Sequence, residues 1–204
     1  MSNHSAGSFS RFVLAITMTL SLSGCGINSV PTAQEGAKAK WADVQAAFQE
    51  RANLIPNLAA VAKGAADQEK GILTSVVEAR AKATSVQLNA GDLSDPAKMA
   101  AFQNAQNQLS QSVGGLGRLL ANVEAYPSLK SITNYQMLQS QLEGQENRIR
   151  ISVRDYNEAV RDYNIRVRTF PEMIGAMIRG AHEMVPYQAA TPGAEVAPSL
   201  QGKM

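Results

Sequence analysis

Apolar side chains recur at alternating steps of four and three residues near the C-terminal end of the chain. The members of this ladder are Ile149, Val153, Tyr156, Val160, Tyr163, Val167 and Phe170. A seven-residue phrase occurs twice within it, as RDYNEAV at residues 154–160 and RDYNIRV at residues 161–167. Such spacing predicts a long helix that packs along its length against other helices. We expect this helix to begin near Ser131 and to end before Phe170 and Pro171.

A second ladder starts at Ala37 and predicts an earlier helix whose end has two interpretations. Asn53 is a good N-cap and Pro56 is tolerated in a first helical turn, so we expect one helix to end and the next to begin at residues 53–56. The apolar register nevertheless continues without a slip to Val86. A single helix kinked at Pro56 is the alternative, although it would be about 84 Å long, roughly twice the length of its partners.

Turn-forming residues mark the remaining helix boundaries. Residues 90–96 (AGDLSDP) predict a loop in which glycine stops one helix and Ser-Asp-Pro starts the next. A third ladder covers residues 99–123, and Tyr126 and Pro127 end it. The predicted fold class is all-α, an antiparallel up-and-down four-helix bundle of long helices over residues 34–185.

The residues after the long helix predict two smaller features. A short apolar piece at residues 173–178 is expected to cap one end of the bundle. Residues 186–204 are rich in Pro, Ala, Gly and Gln, a composition that predicts a disordered tail.

Composition narrows the class of function. Nineteen Lys and Arg residues stand against 17 Asp and Glu residues, giving a net charge of +2. No run of like charge forms the basic patch that a nucleic-acid partner requires, so we expect no nucleic acid to bind. Cys25 is the only cysteine, which excludes a disulfide framework and a cysteine-rich metal site.

The N-terminus has the features of an export signal. Arg11 precedes a short apolar run at residues 12–20, which is too short to span a bilayer. Residues 22–25 (LSGC) resemble the lipobox of bacterial lipoproteins. We therefore predict a signal peptide at residues 1–24 and, at residues 25–33, an acylated Cys25 followed by a tether.

The alternative is an ordinary signal peptide, or a weak membrane segment, in which the cysteine is incidental. Gly26 rather than Asp follows Cys25. By the sorting rule for Gram-negative lipoproteins, this residue favours the outer membrane over the inner one.

Several sequence blocks occur in a fixed order along the chain. They include residues 51–58 (RANLIPNL), 124–130 (EAYPSLK), 142–146 (LEGQE), 154–157 (RDYN), 163–164 (YN) and 170–171 (FP). Together these blocks resemble the LemA family over about residues 28–185. The motif positions that we single out are Asn53, Pro56, Glu124, Tyr126, Pro127, Glu146, Tyr156, Asn157, Tyr163, Asn164, Phe170 and Pro171. The resemblance implies a four-helix up-and-down bundle at the cell envelope with a poorly defined molecular function.

Two features depart from the family pattern. Members of the LemA family more often carry an uncleaved N-terminal membrane helix, whereas this chain offers a lipobox at Cys25. Asn53 stands where the family commonly shows Asp, a change that preserves an N-cap.

No pattern of residues indicates catalysis. His182 begins the phrase HEMVP, which starts like a zinc-protease motif, but a second His at helical spacing is lacking and Pro186 would break the helix. No Glu-x-x-His pair suits a di-iron bundle, and no glycine-rich phosphate loop follows a strand. We expect no enzyme activity, no metal and no cofactor.

Three charged residues fall on the apolar ladders, where an unpaired charge would be costly. They are Arg51, Glu69 and Glu146. We favour the interpretation that they pair with one another or reach solvent and so fix the helix register. The alternative is a polar pocket inside the bundle that senses a ligand or protons.

The two Tyr-Asn pairs of the repeated phrase also have two interpretations. In the favoured one, Tyr156 and Tyr163 are buried, with hydroxyls bonded at the edge, and Asn157 and Asn164 bond across to a neighbouring helix. In the alternative, the asparagines and the Arg-Asp pairs form a surface stripe that a partner helix recognises.

The functional hypothesis is a non-catalytic lipoprotein of a Gram-negative envelope, lipid-anchored and facing the periplasm. It would act as a scaffold or adaptor for unidentified envelope proteins. The alternative is a periplasmic ligand or stress sensor that binds a small molecule or peptide within the bundle.

Overall fold

The computed structural model describes the backbone of residues 4–63, 70–121 and 133–188, and the side chains of residues 28–60, 71–117, 137 and 140–188. Within these ranges the chain forms α-helices and no strand, which confirms the predicted all-α class. The helices are α1 (His4–Lys63), α2 (Lys70–Ser85), α3 (Pro96–Ala121), α4 (Thr133–Arg168) and the short α5 (Glu172–Ile178).

Contacting residue pairs give the directions of the long helices. Arg80 of α2 contacts Ala52 of α1, and Leu88, just after α2, contacts Gln45. Between α3 and α1 the contacting pairs are Phe102–Phe48 and Gln106–Arg51. Between α4 and α1 they are Tyr156–Trp41 and Glu146–Arg51. Residue numbers fall along α2 and α4 as they rise along α1, so both helices run antiparallel to α1. Helix α3 runs parallel to α1.

Two buried hydrophobic clusters fill the bundle. The first holds aromatic rings near one end, including Trp41, Phe102 and Tyr156. The centroid of the Trp41 ring lies 5.2 Å from that of Phe102 and 5.0 Å from that of Tyr156. The second is aliphatic and includes Ile55, Leu58, Val76, Ala83, Leu109 and Leu116. The edge and tilted ring contacts are those that aromatic pairs prefer.

Helix α1 continues through Pro56, so the predicted break at residues 53–56 is wrong. Proline has no N–H and leaves the carbonyl four residues earlier without its helical donor. In this fold Arg80 Nε donates a hydrogen bond of 2.8 Å to the Ala52 carbonyl, which fills that vacancy from α2. Asn53 lies inside α1 and is exposed, so it is not an N-cap.

The predicted loop at residues 90–96 is confirmed as a connection between helices. Its first part is a 3₁₀ turn over Ala90–Ser94 that buries Leu93 completely. Asp95 caps α3, because its Oδ1 accepts hydrogen bonds from the N–H groups of Ala97 (2.9 Å) and Lys98 (3.2 Å).

Residues 28–33 belong to α1 and do not form the predicted tether. Val30 is only 1% exposed, and Ala33 packs against the same aromatic cluster. The packed bundle therefore begins five residues after Cys25, along a continuous helical backbone. No helix in the described ranges is long and apolar enough to cross a membrane.

The predicted seam of α4 is confirmed over most of its length. Ile149, Tyr156, Val160 and Tyr163 are buried. The prediction is wrong for Phe170, which is 76% exposed because α4 ends at Arg168 and the chain turns away.

The segment after α5 packs back onto the bundle. Met184 and Tyr187 are 3% and 8% exposed, so the predicted disordered tail does not begin at residue 186. We call residues 181–188 the C-terminal strap. Residues 189–204 lie outside the described ranges, as do the predicted motif residues Glu124, Tyr126 and Pro127 and the side chain of Glu69.

Candidate functional site

Arg51 lies at the centre of a buried polar cluster between the two hydrophobic clusters. Its side chain is 1% exposed. Nη1 donates to Glu146 Oε1 (2.9 Å) and Ser110 Oγ (2.8 Å), and Nη2 donates to Gln106 Oε1 (2.9 Å). The guanidinium carbon lies 5.1 Å from the centroid of the Phe48 ring, a cation–π contact. We call Arg51, Gln106, Ser110 and Glu146 the Arg51 cluster.

The Arg51 cluster connects all four long helices. Arg51 belongs to α1, Glu146 to α4, and Gln106 and Ser110 to α3. Gln106 extends the network to α2, because its Nε2 donates to the Ala83 carbonyl at 3.2 Å. A charge this deeply buried needs its partners, so its position sets the relative register of the helices.

The pairing that we predicted for charged residues on the apolar ladders is present between Arg51 and Glu146. Glu146 keeps 51% of its side chain exposed, so the pair joins a buried cation to a carboxylate at the surface. The open groove nearby has a volume of about 310 Å³ and is lined by residues of α1, α2 and α3, among them Gln45, Gln49 and Thr84. Gln106 of the Arg51 cluster lines this groove, whereas Glu146 does not.

The two asparagines of the repeated phrase hold the C-terminal strap by its backbone. Asn164 Nδ2 donates to the Met184 carbonyl (2.8 Å), and Asn164 Oδ1 accepts from the Met184 N–H (2.9 Å). Asn157 makes the same pair of bonds with Tyr187, both at 2.8 Å. Each amide side chain thus pairs with one backbone residue as a neighbouring β-strand would.

The two tyrosines of the phrase add a second set of bonds to the strap. Tyr163 donates its hydroxyl hydrogen to the His182 carbonyl (2.8 Å), and Tyr156 donates to the Val185 carbonyl (2.9 Å). The predicted burial of both tyrosines is confirmed. The asparagines bond to the strap and not to a neighbouring helix, which corrects the expected partner.

The spacing of the repeat matches the spacing of an extended chain. Seven residues of α-helix rise about 10.5 Å, and three residues of extended chain cover about 10 Å. Between the two asparagines the helix advances seven residues while the strap advances three, from Met184 to Tyr187 in the opposite direction. The tyrosine bonds show the same step. The repeated phrase is therefore a backbone clamp for one extended segment.

Burial shifts the ionisation of these tyrosines. Removal from water disfavours the phenolate and raises the pKa of Tyr156 and Tyr163. Burial also raises the pKa of Tyr187 to about 12, with Arg51 acting in the opposite direction. All three hydroxyls therefore remain neutral well above physiological pH.

Comparison with known proteins leads to the same family that the sequence blocks resemble. Residues 40–201 match the sequence model of the LemA family. The chain belongs to the LemA family. Magnetosome proteins MamQ 1 and MamQ 2 of Paramagnetospirillum magneticum are each 26% identical to it over 167 residues, and magnetosome protein MamQ of Magnetospirillum gryphiswaldense is 29% identical over 168 residues. Each alignment covers 75% of this chain and 61% of the relative, so the chain spans about three-fifths of the length of these proteins.

Several residues of this LemA-family site have no obvious signal in the sequence. Ser110 and Arg80 look like ordinary helix-surface residues, and Tyr187 lies in a stretch with the composition of a tail. Gln106 did carry a signal, since it is a polar residue on the apolar ladder of α3. Among the described residues, no three His, Cys, Asp or Glu side chains lie close enough together to hold a metal ion.

We expect Arg51 and Glu146 to be energetically coupled. Glu146→Gln removes the charge that faces a buried guanidinium, and should lower the free energy of unfolding by about 1–2 kcal/mol. In an Arg51→Met background the same change should cost almost nothing. Urea unfolding of the four proteins measures the coupling. Glu158→Gln, an exposed change on the same helix, serves as the control, and equal costs of Glu146→Gln in both backgrounds would refute the pairing.

The clamp predicts that Asn164→Ala is strongly destabilising. It removes two buried hydrogen bonds and leaves the Met184 N–H and carbonyl without partners, at a cost of about 2–3 kcal/mol. Amide hydrogen exchange of Met184 and Tyr187 should accelerate in this variant before that of the α1 core. Asn53→Ala is the matched control and should be neutral or slightly stabilising, because Asn53 is exposed within a helix. Unchanged exchange at Met184 would rule out the clamp.

Ionisation of Tyr187 should contribute to alkaline unfolding. Its pKa is near 10 when unfolded and about 12 when folded, so its stabilisation is complete below pH 10 and is lost as the pH rises toward 12. The side chain that replaces Tyr187 in Tyr187→Phe cannot ionise, so the free energy of unfolding of this variant should fall less steeply with rising pH than that of the wild type. The two slopes should differ by up to about 1.4 kcal/mol per pH unit. Urea unfolding across this pH range compares the two, and parallel curves would contradict the prediction.

Proposed function

We propose that this LemA-family protein is a non-catalytic, membrane-anchored scaffold or adaptor of the bacterial envelope. The observation that carries the proposal is the start of the packed bundle at Val30, five residues after Cys25 on one helix. Five helical residues rise about 7.5 Å, so an acyl group on Cys25 would hold the bundle directly against the bilayer surface.

The length of the bundle supports a scaffolding role. Helix α4 has 36 residues and would extend about 54 Å from one end of the bundle to the other. The buried polar groups described above are engaged in internal contacts that join helices or hold the strap. The exposed faces of α2, α3 and α4 are the surfaces left for protein partners.

The relatives support the same class of function. They are named as magnetosome proteins and not by a reaction. A protein that belongs to a cellular structure of this kind fits an adaptor better than an enzyme. The partners of this chain are proteins of its own envelope on this proposal, and Gly26 after Cys25 favours the periplasmic face of the outer membrane.

The anchor is tested by metabolic labelling with radioactive palmitate. Wild-type protein should incorporate the label and sediment with membranes, whereas Cys25→Ala should lose the label. Asn53→Cys combined with Cys25→Ala is the matched control, since it restores a thiol at an exposed site without a lipobox and should stay unlabelled. Equal labelling of wild type and Cys25→Ala would overturn the lipid anchor.

The adaptor role is tested by crosslinking in intact membranes. A photo-reactive residue at Val77 on α2 or at Ile151 on α4, both exposed, should capture the same small set of envelope proteins. A photo-reactive residue at the buried Val160 is the control for non-specific capture. If the exposed positions capture no more than Val160, the scaffold proposal fails.

A further inference from the structure

Helix α5 turns its large apolar side chains to the outside. We call Phe170, Met173, Ile174, Met177 and Ile178 the α5 outer face. Their exposed fractions are 76%, 38%, 49%, 75% and 77% in that order. The positions of the four helical members place them side by side on one face of the helix.

The inner face of α5 carries the small residues. Gly175 and Ala176 are the residues of this helix that are buried against the bundle. A helix at a water-exposed surface normally buries its large apolar residues and exposes polar ones. The arrangement in α5 is the reverse, so contact between its outer face and water is unfavourable.

The α5 outer face differs from the other exposed apolar residues of the described ranges. Val77 on α2 and Met137, Ile151 and Ile165 on α4 are single residues, as is normal on protein surfaces. Five large apolar side chains within nine residues form a continuous patch. Patches of this kind mark contact surfaces for proteins or membranes.

The position of α5 identifies the contacting surface. Glu50 pairs with Arg148 and Trp41 with Tyr156, so the end of α4 lies opposite α1 residues close to Val30. Helix α5 packs against α1 there, and Ala176 shares a buried cluster with Val30. The α5 outer face is thus at the end of the bundle where α1 continues to Cys25 and the apolar run at residues 12–20.

Charged residues border the α5 outer face. Arg166 pairs with Glu172 at 2.8 Å, and Arg168 pairs with Glu183 at 2.9 Å. Arg179 directly follows the helix, is exposed and has no ion-pair partner among the described residues. An apolar face bordered by arginine suits the boundary between lipid phosphates and acyl chains.

We propose that the α5 outer face inserts into the surface of the phospholipid bilayer beside the N-terminal anchor. Its apolar side chains enter the boundary between headgroups and acyl chains, and Arg179 lies at the level of the phosphates. The bundle then touches the membrane at two points, the start of α1 and α5. This contact does not depend on acylation of Cys25, only on a bilayer at that end of the bundle.

Spin labelling of the full chain tests the proposal. Cys25→Ser leaves no thiol, so that Met177→Cys or Ile178→Cys carries the only label. Ile151→Cys on α4 is the matched control, being an exposed apolar residue far from α5. Each protein is reconstituted into vesicles of phosphatidylethanolamine with a minor fraction of phosphatidylglycerol. Collision of the label with oxygen, which partitions into lipid, is compared with collision with a water-soluble nickel complex.

The expected result is an oxygen-to-nickel collision ratio several-fold higher at residues 177 and 178 than at residue 151. A ratio at both positions equal to that at residue 151 would overturn the proposal. Protection from both reagents would overturn it as well, since protein would then cover the face. Spin–spin broadening that grows with protein density would identify a second copy as that cover, and its absence would identify another segment of the same chain. Because the acylation site is absent from all these variants, failure here is distinguishable from failure of palmitate labelling.

Discussion

A buried positive charge is the constraint on which the packing of this bundle depends. Hydrophobic contacts between long helices tolerate sliding, because one aliphatic side chain replaces another at each turn. Arg51 does not tolerate it, since its guanidinium needs Glu146, Gln106 and Ser110 at hydrogen-bond distance. A shift of α3 or α4 by one turn would leave the Arg51 guanidinium without these partners between two apolar clusters. The Arg51 cluster therefore selects one register among several that the apolar ladders allow.

The repeated phrase of α4 plays the corresponding role for the C-terminal end. Its asparagines and tyrosines hold the strap from His182 to Tyr187. Because α5 lies between the end of α4 and the strap, it is held from both sides. The direction in which α5 faces is consequently set by the clamp. Tyr187 also closes the aromatic cluster over Phe48, with 5.8 Å between ring centroids, so the strap completes the core as well.

Periodicity predicted the elements whose stability comes from apolar burial along a helix. The seam of α4 and the pairing of Arg51 with Glu146 follow from such patterns, whereas turn-forming residues predicted the loop at residues 90–96. Local rules failed where a distant residue changed the balance. Pro56 is a good helix start in isolation, but Arg80 donates a hydrogen bond to the Ala52 carbonyl, which proline leaves without its helical donor, from 28 residues further along the chain. Tyr187 lies in a stretch whose composition predicts disorder, yet the Asn157 side chain holds its backbone by two hydrogen bonds. Neither long-range partner can be inferred from local sequence.

The same distinction explains why Phe170 was expected in the seam and is found outside it. By spacing, Phe170 is the next step of the ladder, but α4 ends two residues earlier and the turn carries its ring to the surface. A large ring exposed at this point is costly in water. At a bilayer surface the same exposure becomes favourable, and the four apolar residues of α5 add to it. Two neighbouring membrane contacts, at α5 and at the start of α1, would also fix the tilt of the bundle better than the N-terminal anchor alone. On the proposed adaptor function, the position of α5 would then also set how the exposed faces of α2, α3 and α4 are turned toward protein partners.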